Sequence, residues 1–495
     1  MRSVKRNIIA NYLGSGWAAL MGLVFIPFYI RLMGAEAYGI VGVFISLQAM
    51  FAVLDLGLSQ TLNREMARLS VDRNNAPVMA DTARTLELVY WGVALAIAAV
   101  ILLSSNFIAM DWLNPEQLSG EILIEALYVI AVVIGLRWPV ALYMGGLNGL
   151  QHQVSVNALQ AFFATLQGAG AVSVLLLVEP TLRAYLYWQA LVALLQVIAF
   201  RRAFWRHFQS GESGSFQKDA LKRIWRFAAG IGGISILATI LTQLDKIILS
   251  KLLPLSQFGY YVFAATVAGI LYRLIGPVFT AYYPRLTELV SIDALAETKR
   301  TYHQGSQLMA AVLLPLAFTL VFFSREILEL WAGDPEIVTN SYILVSVLVI
   351  GNTFNGLMHM PYALQLAHGW TRLAFYSNLV AVIVLAPAIF YATSVWGAVG
   401  AAGVWVVLNG GYLLFSVQFM HTRLLKTEKW RWYIYDLGIP LVTVLIVTGL
   451  GRVILSGDLE GYQSMAGLLV VLILATAATV SFSGTIRRDM VKLIK

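Results

Sequence analysis

Three basic residues lie inside long apolar stretches of the sequence, namely Arg137, Arg273 and His359. Each precedes a proline by no more than four positions, and a proline within a helix frees a backbone carbonyl and bends the chain. A charged side chain that faces lipid is costly, so we expect these groups to face a wet interior. Such a cavity would attract an anion, and a guanidinium suits a phosphate or pyrophosphate. The alternative is structural, in which each group bonds a backbone carbonyl or a neighbouring helix.

Asp55 ends another apolar run, nine residues before Arg64, and both residues are candidates for a gate or an ion pair. The carboxylate could pair with a cation of the cavity, for which Arg273 is a candidate. It could instead accept backbone N–H groups where Gly57 and Ser59 interrupt the helix. Its shallow depth in the predicted span favours a structural or gating role over substrate binding.

Three further charged residues lie near the predicted outer ends of apolar runs. Asp245 and Lys246 are adjacent in one run, and they form either a gate or an interfacial pair in which the lysine snorkels to the membrane surface. Arg31 ends the first run and is expected to anchor in lipid headgroups or to join an ion pair at the same face.

The composition places the chain in a membrane. Of its 495 residues, 59% are hydrophobic and 12% are charged, whereas a soluble domain carries about 25% charged residues. The net charge of +8 comes from basic residues concentrated in alternate loops, which indicates membrane orientation and not nucleic-acid binding. The absence of cysteine excludes disulfides, thiolate metal sites and cysteine nucleophiles.

We predict an all-α integral membrane protein with about fourteen transmembrane helices, because apolar runs of the length that a bilayer requires recur throughout the sequence. The first run follows a basic N-terminus and is expected to be an uncleaved span. An even number of spans places both termini on one side, and the excess of Lys and Arg in the loops on that side predicts that it is the cytosol. The predicted spans are residues 8–30, 38–58, 85–105, 122–146, 154–178, 183–201, 227–249, 258–281, 304–323, 341–362, 373–392, 396–420, 436–455 and 463–482.

An internal repeat predicts two lobes. Residues 31–39 align without gaps on residues 251–259, and Arg137-Trp-Pro139 falls on His359-Met-Pro361. Each half has six predicted spans in the same orientation, an arrangement typical of alternating-access transporters. The predicted organisation is an N-terminal lobe at 1–201, a cytosolic basic linker at 202–226, a C-terminal lobe at 227–420, and two additional spans with a cytosolic tail at 421–495.

The sequence lacks the motifs of common enzymes, including HExxH, GxSxG and the phosphate-binding P-loop. The predicted outer loops are short, which disfavours a membrane glycosyltransferase or polymerase that works outside the bilayer. We therefore expect a transporter and not an enzyme, with no cofactor. Since no nucleotide site is evident, transport would be driven by the substrate gradient or by a gradient of H⁺ or Na⁺.

Six short motifs carry a resemblance to a known family. They are Gly34-x3-Tyr-Gly39, Asp55-Leu-Gly-Leu-Ser59, Arg64-Glu-Met-Ala67, Asn148-Gly-Leu-Gln151, Gln243-x-Asp-Lys-Ile-Ile-Leu249 and Phe258-Gly-Tyr-Tyr261. With these motifs the chain resembles, over essentially its whole length, the Wzx-type polysaccharide transporters of the multidrug/oligosaccharidyl-lipid/polysaccharide (MOP) exporter superfamily. The resemblance implies a MATE-like fold with two six-helix lobes and two C-terminal helices.

The resemblance also implies a function in the bacterial inner membrane. The expected substrate is an undecaprenyl-pyrophosphate-linked oligosaccharide, such as an O-antigen, capsule or exopolysaccharide repeat unit, which a flippase moves from the cytosolic to the periplasmic leaflet by alternating access. The expected partners are membrane lipid and the polymerase and chain-length regulator of the same pathway, and the flippase would be a monomer. The resemblance assigns no role to Arg137, Arg273 or His359, which rest on their chemistry alone.

Two other transport functions remain as alternatives. A peptidoglycan-precursor flippase would have a basic cavity too, but such proteins usually carry several arginines in the first two spans, and here the first span is free of charge until Arg31. A MATE-type cation or drug antiporter would be expected to place acidic residues deep in the N-terminal lobe. This chain offers only the shallow Asp55 there, so both alternatives are less favoured.

Overall fold

The computed structural model describes residues 14, 16–70, 72–208, 214–218, 236–237, 239–455 and 462–482. Every regular element among them is a helix, and eleven helices are long and apolar enough to cross a membrane. The prediction of an all-α membrane protein is therefore confirmed. The eleven spans are α1 (Gly16–Met33), α2 (Ala35–Asp55), α3 (Ala76–Trp112), α4 (Gly120–Gly149), α5 (Gln153–Leu177), α6 (Leu182–Trp205), α7 (Leu255–Ser291), α8 (Leu295–Phe322), α9 (Pro335–Ala367), α10 (Thr371–Arg423) and α11 (Lys429–Ile454).

These eleven spans correspond to twelve of the predicted fourteen, because α10 contains two of them. It is 53 residues long and is divided at Gly397, whose φ of 59° is not helical. The first part of the seventh predicted span, 227–249, lies outside the described residues, which show a helix at 239–252. The fourteenth corresponds to the helix Tyr462–Phe482, whose apolar part Met465–Ser481 is shorter than the eleven spans. The count of fourteen stays a prediction.

The chain divides into two compact units, Met1–Gly259 and Tyr260–Lys495. In the first unit, α4 packs against both α3 and α6. In the second, α8 packs against α7, α9 and α11, and 67% of its most apolar segment is buried, which makes it the central helix of that unit. The predicted boundaries of the lobes, linker and tail stay predictions.

Two spans of the first unit are interrupted. In α2 the regular helix Ala35–Ala52 tightens into a 3-10 turn at Val53–Asp55. Leu56 and Gly57 then adopt φ values of 46° and 81°, a left-handed conformation that favours glycine. A new helix runs from Leu58 to Leu69, so the chain changes direction directly after Asp55.

The second interruption in the first unit separates the helices Gly120–Arg137 and Val140–Gly149 of α4. Pro139 has no N–H to donate to the preceding turn, which ends the first helix at Arg137. The bonds that resume the helix are the Leu142 N–H to the Pro139 carbonyl at 3.1 Å and the Ala141 N–H to the Trp138 carbonyl at 3.4 Å.

The second unit contains two interruptions of the same kind. The helix Tyr272–Ser291 of α7 follows a 3-10 turn at Gly269–Leu271. In α9, the helix Pro335–Leu357 is separated by Met358 from the helix His359–Ala367. This last break lies where the sequence repeat aligns His359-Met-Pro on Arg137-Trp-Pro, so equivalent sequence positions produce equivalent breaks.

A close helix crossing in the first unit joins the starts of α2 and α7. A Cβ on Gly39 would lie within 3.0 Å of the Leu255 carbonyl oxygen, and a Cβ on Gly259 would lie equally close to the Ala35 carbonyl oxygen. The repeat aligns Gly39 on Gly259 and Ala35 on Leu255, so the contact is reciprocal. Two repeat-related glycines thus allow two helix backbones to touch.

We expect Gly39→Ala and Gly259→Ala to lower the stability of the protein by about 1–3 kcal/mol each, because the new methyl group meets a backbone oxygen that cannot move aside. Thermal unfolding of the purified protein in detergent measures the effect. Gly92→Ala in α3 is the matched control, since no atom lies within 4 Å of its Cβ position and alanine favours the helix. Equal unfolding temperatures for all three variants would contradict the close crossing.

Candidate functional site

Arg137 is the last residue before the break in α4, and its guanidinium lies among neutral groups. Its Nη2 donates to the Gln189 side-chain oxygen at 2.6 Å, and its Cζ lies 5.4 Å from the centre of the Phe44 ring. Its Nε is buried without a hydrogen-bond partner, and no carboxylate of the described residues forms an ion pair with it. A buried donor without a partner is costly, so the Nε of Arg137 is an unused donor inside the protein.

Arg273 follows the 3-10 turn of α7 by two residues. Its side chain is exposed, and it forms no ion pair with any carboxylate in the described part of the chain. His359 begins the second helix of α9 and is half-buried. Its Nδ1 lies 3.0 Å from the Asn355 carbonyl oxygen and donates to it, because a carbonyl can only accept. The ring then presents Nε2 to other partners.

Phe279 connects His359 to the helix that also carries Arg273. It lies on the same helix as Arg273, six residues further along, which is about 9 Å of helix. Its ring makes an edge-to-face contact with the His359 ring at 5.9 Å. Two tyrosine rings stack on Phe279, Tyr283 at 5.5 Å and Tyr362 at 6.2 Å. We call Phe279, Tyr283 and Tyr362 the aromatic cluster.

Polar side chains follow the same face of α9. Asn352 accepts from the Tyr272 hydroxyl at 3.1 Å and from the Trp405 indole at 2.9 Å. Asn355, which also accepts from His359 through its carbonyl, donates to the Asn409 side chain at 2.8 Å. The sequence analysis missed this polar row and the aromatic cluster. The signal was present in Asn352 and Asn355, which face the same side of an apolar helix at a spacing of three.

Asp55 is held by three hydrogen bonds. Its carboxylate accepts from the Ser59 backbone N–H at 3.2 Å and from the Ser59 hydroxyl at 2.8 Å. It also accepts from the Tyr90 hydroxyl of α3. The Ser59 contacts place a carboxylate at the start of the helix Leu58–Leu69, where backbone N–H groups lack helical partners. These contacts are the ones expected from the structural alternative for Asp55.

The remaining candidates for gates and ion pairs lie elsewhere in the first unit. Arg31 and Arg64 are exposed, and Asp245 is half-buried. Lys246 donates to the Thr242 carbonyl oxygen at 3.3 Å and to the Gln243 side-chain oxygen at 3.4 Å. It also borders a cavity of about 280 Å³ whose walls are mostly apolar side chains of α2, α3 and helix 239–252. Its alkyl chain lines this cavity, as a snorkelling lysine would.

Glu87 is a buried carboxylate that the sequence analysis missed. Its side chain is 2% exposed and accepts from the Tyr143 hydroxyl at 2.7 Å and the Arg201 Nε at 2.8 Å. It also accepts from the Trp205 indole at 3.1 Å and the Arg84 guanidinium at 2.6 Å. These four bonds connect α3, α4 and α6. Every donor except Arg84 is more than fifty positions away in the sequence, so local spacing could not reveal the cluster.

A second buried cluster occupies the second unit around His303 of α8. Its Nδ1 contacts the Asp436 carboxylate, and its Nε2 lies 3.1 Å from a Glu428 oxygen. Lys299 forms an ion pair with the other Glu428 oxygen at 2.8 Å. Burial by itself would raise the pKa of Glu428, but hydrogen bonds from Lys299, His303 and Thr427 lower it to about 2. The sequence analysis missed this cluster too.

Exchanging Asp55 should separate its two possible roles. Asp55→Asn offers one acceptor oxygen to three donors, so we expect a loss of about 1–2 kcal/mol in the free energy of unfolding. Asp55→Glu keeps the charge but displaces the carboxylate, and a structural role predicts that it is destabilising too. Thermal unfolding in detergent measures both, with exposed Glu121→Gln as control. Normal stability of both Asp55 variants together with lost transport would instead establish a gate.

The ion pairs of Glu428 should make stability depend on acid pH. A carboxyl whose pKa is lowered by folding stabilises the protein above its unfolded pKa near 4.5, and this contribution is lost as the pH falls towards 2. After allowance for screening by solvent, we expect a contribution of about 1–2 kcal/mol. We expect the unfolding temperature to fall more between pH 6 and pH 3 in the unsubstituted protein than in Glu428→Gln. Equal falls in the two proteins would show that Glu428 is not stabilised in this way.

Comparison with known proteins places this geometry in a family. Residues 4–290 match the family described as "Polysaccharide biosynthesis protein". A relative from Shigella flexneri, named "Putative O-antigen transporter", is 21% identical over 434 residues, covering 85% of this chain and 98% of the relative. Its name describes a transporter, in agreement with the absence of enzyme motifs from the sequence.

Solved structures show the fold. The structure titled "Lipid II flippase MurJ, inward closed conformation" has a TM-score of 0.73 at 13% identity, covering 98% of this chain and 99% of that one. An inward-facing multidrug resistance MATE family transporter of the MOP superfamily has a TM-score of 0.68 at 12% identity, covering 83% of this chain and 96% of that one. Identities this low establish the fold alone. Since the family match covers more than half of the sequence, the chain belongs to the polysaccharide biosynthesis protein family of Wzx-type transporters, with the MOP superfamily fold that its motifs implied.

Proposed function

We propose that this chain is a flippase for undecaprenyl-pyrophosphate-linked oligosaccharides in the bacterial inner membrane. It would move an O-antigen, capsule or exopolysaccharide repeat unit from the cytosolic to the periplasmic leaflet. Family membership and the name of the Shigella flexneri relative support a lipid-linked glycan as substrate. The observation that carries the proposal is Arg137, a guanidinium inside an apolar span whose buried Nε has no hydrogen-bond partner.

The pyrophosphate is the group that these cations fit. A guanidinium presents a planar fork of N–H donors that matches two oxygens of a phosphate, and its charge persists at every physiological pH. Arg137 keeps part of that fork unused, and Arg273 is exposed without an ion pair among the described residues. Because the Nδ1 of His359 donates to the Asn355 carbonyl, its Nε2 would accept a hydrogen bond from a sugar hydroxyl. The three residues first selected as substrate ligands therefore remain the proposed ligands.

The aromatic cluster and the polar row of α9 suit the sugar. A sugar ring has apolar C–H faces and a polar edge of hydroxyl groups, so it needs both flat apolar surfaces and hydrogen-bonding side chains. Phe279, Tyr283 and Tyr362 offer aromatic faces, and asparagine amides can both donate to and accept from hydroxyls. These groups lie in the same unit as Arg273 and His359. The polyprenyl chain would remain in the lipid.

The proposed mechanism is alternating access by two repeat-related lobes. Each lobe would contain six spans, with two further spans at the C-terminus and both termini in the cytosol. The matching breaks in α4 and α9 support the repeat, because the same kind of interruption recurs at aligned positions. We propose that the flippase acts as a monomer, that no cofactor is needed, and that a gradient of H⁺ or Na⁺ can drive it. The pathway polymerase and chain-length regulator would act on its product.

Two observations argue against the alternative transport functions. The described residues of α1 contain no charged side chain before Arg31, unlike the arginine-rich first spans expected of a peptidoglycan-precursor flippase. The similarity to the lipid II flippase establishes a fold and not a substrate. Asp55 is fully engaged with Ser59 and Tyr90, so it offers no open carboxylate for the cation of a drug antiporter.

Removing the proposed anion ligands should abolish glycan export. We expect Arg137→Ala and Arg273→Ala each to eliminate surface glycan in a strain that lacks the chromosomal gene, while membrane levels of the protein stay unchanged. Electrophoresis of the surface polysaccharide and immunoblotting of membranes provide the two measurements. Arg183→Ala is the matched control, because Arg183 is about half exposed and pairs with Glu125 at 2.6 Å. Normal glycan in both cavity variants would refute the cationic site.

A further inference from the structure

A buried chain of three titratable groups connects α8 to α11 in the second unit. His303 of α8 is 1% exposed, Asp436 of α11 is 2% exposed, and Glu428, just before α11, is 8% exposed. The two carboxylates face opposite nitrogens of one imidazole ring. The substrate site proposed above uses none of these residues, so their burial requires an explanation of its own.

The two contacts of His303 require two protons. A neutral imidazole has one N–H and one lone pair. If both carboxylates were ionised and the ring neutral, that lone pair would face a negative oxygen in a dry interior, which is strongly unfavourable. The three groups must therefore share two protons, one in each hydrogen bond. The ring is either an imidazolium between two carboxylates, or a neutral ring with one protonated carboxyl group.

The surroundings of Glu428 keep that carboxyl group ionised. Lys299 lies 2.8 Å from Oε1 of Glu428, to which the Thr427 hydroxyl also donates at 3.0 Å, and the Arg431 guanidinium lies 3.5 Å from Oε2. These donors hold its pKa far below its usual range, as described above. The His303 Nε2 therefore carries its own proton and donates it to Glu428. The exchangeable proton is the other one, between Nδ1 and Asp436.

Asp436 is placed to hold this second proton. One of its oxygens accepts from the Gln307 amide at 2.8 Å, and the other faces His303. The neighbouring Trp432 of α11 donates its indole N–H to Ser306 of α8 at 3.1 Å. The contacts of Asp436 and Trp432 thus join α11 to α8, and the proton between Asp436 and His303 adds a further hydrogen bond between the same two spans.

The other titratable groups around His303 have hydrogen-bond partners of their own or do not bond to His303. Tyr302 lies 3.3 Å from the His421 Nε2, and the His421 Nδ1 lies 3.0 Å from the Val417 carbonyl oxygen. His421 thus donates at Nδ1 and accepts from the Tyr302 hydroxyl at Nε2, which satisfies a neutral ring. Lys429 and Tyr433, the further charged and ionisable groups of α11 near the cluster, do not bond to His303.

We propose that Asp436, His303 and Glu428 form a proton-binding site that fastens α11 to α8, and that loss of the proton between Asp436 and His303 loosens this contact. Without that proton, the Asp436 carboxylate would face the Nδ1 lone pair inside the protein. The ligand is a proton and not a metal ion, because no group of three or more His, Asp or Glu side chains in the described residues is arranged to hold a metal. The site does not depend on the proposed substrate, since it is defined by protonation alone.

Nitrogen-15 NMR of histidine-labelled protein tests the protonation state directly. The chain has six histidines, and single His→Gln variants at the other five positions assign His303 by elimination. At pH 7.5 we expect both ring nitrogens of His303 to show the signals of protonated nitrogen, and one to lose its proton as the pH is raised. A neutral His303 at pH 7.5, together with the carbon-13 signal of an ionised Asp436 carboxylate, would overturn the site, because the proposed proton would then be absent. Retention of both protons up to pH 10 would also overturn it, because the pair would then be permanent.

Glu428→Gln gives the sharpest comparison. The glutamine amide can donate to the His303 Nε2, so a neutral ring becomes compatible with both neighbours, and we expect one unprotonated nitrogen at pH 7.5. Glu297→Gln is the control, since it removes the same charge from an exposed position of α8 and should leave the His303 imidazolium intact. An imidazolium in both variants would contradict the proton count. If Glu428→Gln does not fold, the measurement on the unsubstituted protein still decides.

A distance measurement tests whether loss of the proton between Asp436 and His303 changes the packing of α11 against α8. Because the sequence has no cysteine, spin labels can be attached at Leu295→Cys in α8 and Val442→Cys in α11, which are 59% and 55% exposed. Pulsed electron paramagnetic resonance then reports the separation of the two spans. We expect the distance distribution to broaden at the pH at which His303 loses its second ring proton. An unchanged distribution across that transition would refute the loosening of α11.

Discussion

The bilayer core contains no water that could satisfy a free backbone group, and this constraint organises the whole molecule. The chain meets it with helices, and at four of their interruptions a charged or titratable side chain lies at the break. Asp55 ends the 3-10 turn of α2, Arg137 ends the first helix of α4, Arg273 follows the turn in α7, and His359 begins the second helix of α9. Interruption and charge therefore come together.

This association has a physical cause. A break exposes backbone N–H or carbonyl groups, which must lie in a polar environment or find side-chain partners. The same environment tolerates an ionised side chain that lipid would not. At Asp55 the carboxylate supplies the missing partner itself, by accepting the Ser59 N–H. At His359 the ring supplies a donor to the Asn355 carbonyl, whereas Arg137 contributes nothing to its own break and so keeps donors for another molecule.

The sequence was sufficient to predict the helical membrane class, the family and the approximate position of the breaks in α2, α4 and α9, whereas in α7 the break lies at Gly269–Leu271 and Pro277 lies within a continuous helix. Prolines and glycines mark the breaks locally, and a cation within an apolar run is visible without any neighbour. The partners of buried acids could not be predicted in this way. Asp55 bonds Tyr90 across 35 positions, and His303 contacts Asp436 across 133. Such pairs depend on which faces of two distant helices pack together. Helical periodicity shows which side chains share a face of one helix, but it does not show which other helix packs against that face.

The buried polar groups also differ in how many of their hydrogen-bonding atoms have a partner. This difference distinguishes groups that stabilise the fold from the group proposed to bind a ligand. Glu87 accepts four hydrogen bonds, and Asp55 accepts three. Both acids have as many donors as their lone pairs readily use, so they stabilise the fold and offer little to a ligand. Arg137 shows the opposite pattern, with a buried Nε that no described residue engages. An unpaired buried donor lowers stability. Among fully satisfied acids of the same unit, this unpaired donor is the feature on which the proposed anionic ligand rests.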